Sequence, residues 1–305
     1  MPPNKSESAY CHPISVNIRH AFVSAQAQEM DVLRNARVLV TVKAYPKPSG
    51  KYEELVCTAG LLDGRRWIRI YPVPFRLLDD SEKFPKYAWI ELDLERRKDK
   101  DFRPESFRPL RGVDEEIKVI KKITTKNGWS ERKLYVLRSV YDSMERLIAD
   151  AYSEPTVSLA TLRPSRVLDV KVEHSDREWP KHWAEYLIQH DLFETAPNGQ
   201  KRIIKKVPYD FSYVFETADQ KRRELKIEDW ELGALYWNCL RDSDSDESKA
   251  VELVRRKYRE LAQSDIHLFL GTTLQYHQRR VPNPFIIIGV FYPPKDPQYM
   301  LMPNL

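Results

Sequence analysis

Three carboxylates with aromatic neighbours are the residues best suited to chemistry in this sequence. Asp210 follows Tyr209 in an alternating apolar segment, and Asp229 and Glu231 flank Trp230. If a turn centres near residue 219, antiparallel pairing places Asp210 opposite Asp229. Paired carboxylates beside aromatic rings suit general acid–base work on a base or sugar, including water activation in a base-excising glycosylase. Acidic residues also favour helix starts, so a helix N-terminus at Asp229 is the competing interpretation.

The same region also contains residues spaced like part of a nuclease signature. Asp210 followed by Glu224, Leu225 and Lys226 matches the outline of the PD-(D/E)xK nuclease signature. The turn near residue 219 places Glu224 opposite about Val214, so the two carboxylates lie roughly 13 Å apart along the strands, at about 3.3 Å per residue. That separation is too long for a shared metal ion, and a nuclease site would need a β-bulge to change the register.

A second group of residues favours binding rather than catalysis. Three strand-like segments end in Tyr-Pro, at Tyr45, Tyr71 and Tyr292. If these ends meet at one rim, the tyrosine rings offer stacking faces for bases, and nearby cations, including arginines in proline-rich segments, reach phosphates. Proline also simply ends strands, and tyrosine simply favours them. The predicted nucleic-acid-binding residues are Lys43, Tyr45, Trp67, Arg69, Tyr71, Arg76, Arg103, Arg163, Lys206 and Tyr209.

The segment 54–76 is predicted to form a β-hairpin that supplies one wall of this rim. Its Asp-Gly dipeptide is a strong hairpin-turn signal between two alternating strands. Because side chains alternate along a strand, the two isoleucines of the second strand point to the core. Trp67, Arg69 and Tyr71 then share the opposite, candidate surface.

The order of predicted elements argues against a doubly wound sheet, because strands and helices do not alternate regularly. A long helix is predicted from Ser130, a good N-cap, to about Tyr152. We predict an α+β fold with an antiparallel, partly barrelled sheet and inserted helices. The chain divides into a flexible N-terminal extension over residues 1–34 and a single α+β domain over residues 35–305, with two lobes split near 153–165 as the alternative.

The composition excludes few classes of protein. With 50 basic and 45 acidic residues the net charge is +5, which permits a local nucleic-acid-binding patch without demanding one. The three cysteines form neither a metal-binding spacing nor an even disulfide set, so we expect a cytoplasmic protein. No apolar run approaches a membrane span. Without a glycine-rich phosphate loop or a zinc-deaminase signature, we expect no metal and no cofactor.

Several longer motifs resemble known proteins. KAYPKPS, ELVCTAG, WIRIYPVPFR, IEDWELG and FIIIGVFYPP resemble an uncharacterised bacterial protein family over roughly residues 37–294. This resemblance implies no activity. The strand-rich body, which ends in a GT-containing strand and a final apolar strand, is similar in pattern to the PUA/ASCH/EVE class of small barrels. That similarity implies binding of RNA or modified bases, although the long inserted helices depart from the class.

Taken together, the residues predict a nucleic-acid-binding protein with DNA or RNA as its partner. It would recognise a modified or flipped base through the aromatic and basic rim. One alternative is an enzyme acting on nucleic acid, either a base-excising DNA glycosylase or a nuclease-type hydrolase. Another is a protein-interaction subunit without chemistry.

Overall fold

The structure is a computed structural model that describes residues 31–45, 47–48, 54–73, 83–98, 100–180 and 205–295. Within these residues lie fourteen strands and five α-helices, so the predicted mixed α+β class is confirmed. Most strand pairs are antiparallel.

The strands are β1 (Val32–Lys43), β2 (Lys47–Pro48), β3 (Glu54–Leu62), β4 (Arg66–Val73), β5 (Ala88–Arg96), β6 (Ser106–Pro109), β7 (Lys118–Lys122), β8 (Val140–Tyr141), β9 (Leu159–Leu162), β10 (Arg166–His174), β11 (Tyr209–Glu216), β12 (Arg222–Lys226), β13 (His267–Thr272) and β14 (Phe285–Phe291). The helices are α1 (Lys126–Val136), α2 (Met144–Ala151), α3 (Trp230–Asp242), α4 (Glu247–Leu261) and α5 (Leu274–Gln278).

Five strands close into a barrel in the order β1-β3-β4-β6-β5, and β5 returns to β1. Ile68 and Ile70 of β4 are buried in one apolar core with side chains from β1 and β5, as the alternation predicts. Gly60 permits the close approach of β3 to β1, because a Cβ there would collide with the carbonyl oxygen of Leu39. β7 extends the sheet beyond the ring and pairs only with β5 among the described strands.

The outer side of β4 is covered by a second sheet of order β14-β13-β9-β8. The Trp67 ring meets Phe269 edge to face at 5.5 Å between centroids. The Arg69 guanidinium is 5% exposed and donates to the Ser158 hydroxyl and carbonyl oxygens at 3.0 and 3.2 Å. The prediction that Trp67 and Arg69 lie on an open surface is therefore wrong: the residues alternate as expected, but the second sheet packs on both of these side chains.

A third sheet, β10-β11-β12, carries the carboxylate-bearing segment and packs with α3 and α4. Phe211, Tyr213 and Phe215 lie on one face of β11 and are buried, as their spacing predicts. The Tyr213 hydroxyl donates to the carbonyl oxygen of Tyr258 in α4 at 2.8 Å. These contacts fix β11 and the helix that follows β12.

The predicted helix from Ser130 to Tyr152 is interrupted. α1 ends at Val136, and β8 then pairs in parallel with β9. α2 begins after Ser143, whose hydroxyl accepts a hydrogen bond from the Arg146 backbone N–H. The helical spacing of the apolar residues is real, but strand pairing with a distant segment breaks the chain into two helices.

β1 begins at Val32, so residues 32–34 of the predicted extension belong to a barrel strand. Residues 1–30 of that extension lie outside the described residues. Among the described helices, none has the length and apolar character needed to cross a membrane.

Two arginines that precede prolines differ sharply in burial. Arg103 is 6% exposed and donates to both carboxylate oxygens of Asp101, at 2.8 and 2.6 Å, and to the carbonyl oxygen of Thr272 at 2.6 Å. The Arg163 side chain is 62% exposed and pairs with Asp265 at 3.0 Å. Arg103 thus joins the barrel side of the molecule to β13, whereas Arg163 lies on the surface.

We expect Arg103→Ala to lower the free energy of unfolding by about 3–5 kcal/mol, because it leaves the buried Asp101 carboxylate without its partner. Arg163→Ala is the matched control and is expected to cost less than about 1 kcal/mol, since its ion pair is solvated. Urea unfolding of the two variants measures this difference. Equal losses would contradict a structural role for Arg103.

Candidate functional site

The carboxylate-bearing strand and the helix after it meet around a cavity of about 240 Å³, here called the first cavity. Its lining includes five predicted site residues: Tyr45, Lys206, Tyr209, Asp210 and Asp229. Trp179, Lys226, Glu228 and Gly233 line it as well. The fold therefore brings together predicted residues from three separate segments of the chain.

The register of β11 and β12 positions the carboxylates. Glu224 lies opposite Val214, as the sequence predicts from a turn near residue 219. Asp210 accepts from Lys226 at 2.8 Å, whereas Glu224 pairs with Lys171 at 2.9 Å. The two carboxylates of the nuclease signature are thus held by different lysines and stay apart.

Tyr45 is fixed against α3 by its backbone, its hydroxyl and its ring. Its hydroxyl donates to the Lys205 carbonyl oxygen at 2.7 Å and accepts from the Trp237 indole N–H at 2.9 Å. The ring lies directly on Gly233, where a Cβ would collide with it. The preceding residue, Ala44, forms a β-bridge with Asp229. One wall of the first cavity is therefore a rigid aromatic ring.

Tyr209 is held equally firmly at the start of β11. Its hydroxyl donates to a Glu247 carboxylate oxygen at 2.9 Å. Its ring packs against His174 and Tyr236, with centroids 4.9 and 5.8 Å away. Hydrogen bonds from Arg177 and Tyr209 lower the pKa of Glu247 to about 2, so this carboxylate stays ionised.

Asp229 is a buried carboxylate at the N-terminus of α3. It accepts from the Glu231 backbone N–H at 3.2 Å and so caps the helix. Both its oxygens bind the Lys86 ammonium, at 2.8 and 2.9 Å, and the Glu231 carboxylate lies 3.2 Å from the same nitrogen. The helix-start interpretation of Asp229 is confirmed. Asp210 is the member of the predicted pair whose carboxylate is half-exposed.

Burial lowers the pKa of Lys86, but Asp229 and Glu231 more than offset it, and the net shift is upward. Lys43 approaches this charged group from β1, with its ammonium 3.2 Å from the Phe84 carbonyl oxygen. Burial and the neighbouring Lys86 lower the pKa of Lys43 to about 8.

The three Tyr-Pro ends do not share one rim. Tyr292 lines a second cavity of about 190 Å³, together with Lys86 and Glu231. Tyr71 lines neither cavity, and the guanidinium of Arg97 lies 5.2 Å from its ring centroid. Trp67, Arg69, Arg103 and Arg163 line neither cavity either, and Arg76 lies outside the described residues.

The sequence analysis missed residues that line the second cavity. Lys86 precedes β5 and gives no sign of its buried ion pair, because Asp229 lies 143 positions away. Asn127, Gly128 and Trp129 all adopt left-handed backbone conformations, with φ of 50, 62 and 66°. The Asn-Gly pair predicts such a turn, but Trp129 at positive φ costs about 1–2 kcal/mol and is not predictable from its type.

Two protein-family models match the sequence: Domain of unknown function (DUF8758) over residues 34–138 and Domain of unknown function (DUF8757) over residues 140–304. The second covers more than half of the 305 residues, and the chain belongs to this family. A search of curated proteins found no match. One matching solved structure is titled "Structure of murine DNA binding protein bound with ds DNA". It shares 8% identity, covers 88% of this chain and 98% of its own, and has a TM-score of 0.30, which is too low to bear on function.

We expect Asp229→Asn to lower the free energy of unfolding by about 3–5 kcal/mol, because the buried Lys86 ammonium loses the charge that compensates it. Asp210→Asn is the control: its pair with Lys226 is half-exposed, so the cost should stay below about 1 kcal/mol. Urea unfolding curves distinguish the two. If Asp229→Asn lowers the free energy of unfolding no more than Asp210→Asn does, the ion pair has no structural role.

The lowered pKa of Lys43 predicts a pH dependence of stability. Below pH 8 this lysine is charged in both the folded and the unfolded state, and burial of the charge costs stability. As the pH rises from about 8 towards the unfolded value of 10.5, the folded lysine is neutral and that cost disappears. Unfolding free energies of wild type and Lys43→Met, compared at about pH 7 and about pH 9.5, should show wild type gaining relative to the variant. A constant difference would contradict this.

Proposed function

We propose that the protein binds nucleic acid and holds one unpaired base in the first cavity. The observation that carries the proposal is the convergence of Tyr45, Tyr209, Asp210 and Lys206 on a single cavity of about 240 Å³. Aromatic rings supply stacking faces for a base, and charged side chains form hydrogen bonds with its polar edges. Such a mixture is what an unpaired base needs from a protein.

The rigidity of the rings supports the proposal. The hydroxyls of Tyr45 and Tyr209 are both hydrogen-bonded to neighbouring protein groups. A base that stacks between rings already held in place costs the protein little side-chain entropy. Trp179 lines the same cavity and adds a further ring.

The carboxylates of the first cavity favour an amino-bearing base edge. Carboxylate oxygens accept hydrogen bonds from exocyclic amino groups, as with the N4 amino group of cytosine. Asp210 is held 2.8 Å from Lys226, which leaves oxygen lone pairs for a ligand. An unpaired or flipped base presents this edge because it has left its partner strand. The resemblance in sequence pattern to PUA-like modules implies the same class of ligand, and it stays a prediction.

Replacement of Trp179 tests the cavity directly. We expect Trp179→Ala to weaken binding of single-stranded nucleic acid by about 5- to 150-fold, the equivalent of about 1–3 kcal/mol of lost stacking. Tyr276→Ala removes an aromatic ring that is 46% exposed on α5 and should leave affinity unchanged. Fluorescence anisotropy with single- and double-stranded DNA and RNA measures both. If the two variants bind with equal affinity, the first cavity is not part of the nucleic-acid-binding surface.

Lys206 tests the electrostatic part of the same interface. If its ammonium contacts one phosphate, Lys206→Ala should make the negative slope of log affinity against log salt less steep by about 0.7–0.9. Lys257→Ala, on the exposed face of α4, should leave the slope unchanged. Absence of binding to every nucleic acid at low salt would overturn the proposal and favour a protein-interaction subunit.

A base-excising hydrolase is the second candidate, and one observation favours it. Asp210 places a half-exposed carboxylate in an aromatic-lined cavity, where it would activate water. Incubation with modified and unmodified DNA, followed by detection of abasic sites, tests this function. Loss of product in Asp210→Asn with binding retained would assign the reaction. Asp229→Asn is unsuitable for this test, because that carboxylate neutralises buried Lys86.

A further inference from the structure

The second cavity has a different chemistry from the first. Its volume is about 190 Å³, below that of most pockets for drug-sized ligands, which measure roughly 300–1,000 Å³. It is lined by the rings of Tyr87, Trp129 and Tyr292, by the cations Lys86, Lys122 and Arg132, and by one carboxylate, Glu231. Its titratable lining is therefore cationic overall, and its size suits a small anionic group.

Arg132 is a buried cation of this cavity. It is 7% exposed, and its guanidinium carbon lies 3.9 Å from the ring centroid of Tyr87 and 4.9 Å from that of Trp129. Two of its nitrogens donate to the Ile123 carbonyl oxygen, at 3.3 and 2.9 Å. Within the described part of the chain no carboxylate lies within ion-pairing distance of it. A buried guanidinium without a counter-ion is costly, and a bound anion would compensate it.

Lys122 also lines the cavity, and its residue is exposed on strand β7. Like Arg132, it has no ion-pair partner among the residues that the structure describes. Lys86, by contrast, is bound to Asp229 and Glu231. Two cations of the cavity thus stay available for a ligand.

The aromatic rings of the second cavity indicate which chemical group is attached to the anion. Trp129 packs on Tyr292 with ring centroids 5.1 Å apart, lines the cavity and is the last of three residues with left-handed backbone. Strained backbone of this kind concentrates at ligand sites. Aromatic rings beside cations are the combination that binds a phosphate attached to a base.

We propose that the second cavity binds a phosphate group through Lys122 and Arg132, with the attached nucleoside against Trp129 and Tyr292. Free nucleotides and the nucleic-acid backbone both supply this group. The backbone as its source rests on the proposed function, because Lys86 of this cavity binds Asp229 of the first. A strand whose base occupies the first cavity would then place a phosphate in the second.

Two neighbouring lysines provide a matched test. Lys122→Glu reverses the charge that lines the second cavity. Lys121→Glu makes the same change in net charge, but Lys121 lines a separate cavity with Trp89 and Tyr135 and pairs with Glu131 at 3.5 Å. Both side chains are exposed on β7, so thermal melting is expected to show folded variants.

Binding is measured with three probes: inorganic phosphate, AMP and a fluorescein-labelled single-stranded oligonucleotide. We expect Lys122→Glu to weaken binding by at least about tenfold and Lys121→Glu by less than about threefold, because only the first removes a charge-assisted contact. A specific loss for AMP and phosphate assigns a free nucleotide, and a specific loss for the oligonucleotide alone assigns the backbone.

Two results would overturn the phosphate site: equal effects of the two variants on every probe that binds, or no binding of any probe by wild type. These outcomes are distinguishable from failure of the proposed function. If the oligonucleotide does not bind but AMP does, the base-binding proposal fails while the phosphate site stands. If the oligonucleotide binds and neither it, AMP nor phosphate distinguishes the two lysine variants, the phosphate site fails while the base-binding proposal stands.

Discussion

The buried ion pair between Lys86 and Asp229 is the interaction on which both cavities depend. Lys86 lies just before β5 of the barrel, and Asp229, 143 positions later in the chain, caps α3. Removal of either charge from water is costly, so the pair is favourable only when geometry and further hydrogen bonds are good. Glu231 and the cap of α3 supply those bonds. Since Asp229 lines the first cavity and Lys86 the second, one pair positions both walls.

The two cavities complement each other because the charges are unequally divided between them. Asp210, Glu228 and Asp229 line the first, where lysines pair with carboxylates and aromatic rings are fixed by hydrogen bonds. Cations dominate the second, and Arg132 is stacked between rings there. A carboxylate-rich pocket suits an amino-bearing base edge, whereas a cationic one suits phosphate.

Two arginines hold sheets together where the sequence suggests surface contacts. Arg69 reaches from the barrel to Ser158 before β9, and Arg103 reaches to Thr272 in β13. Both guanidiniums are buried and donate hydrogen bonds to protein groups. The planar fork of arginine suits this role as well as it suits phosphate. Residue type and neighbouring proline therefore do not separate the two uses.

The sequence by itself determined the local features: the mixed α+β class, the buried face of β11, and the register that sets Glu224 opposite Val214. These depend on alternation and turn position, which neighbouring residues specify. Only the tertiary structure decided that β4 is covered on its outer face, that β8 interrupts the predicted long helix, and that Lys86 neutralises Asp229. Alternation looks the same on a strand with one or both faces covered. Cover, pairing and charge compensation come from segments far away along the chain, and no local pattern encodes them.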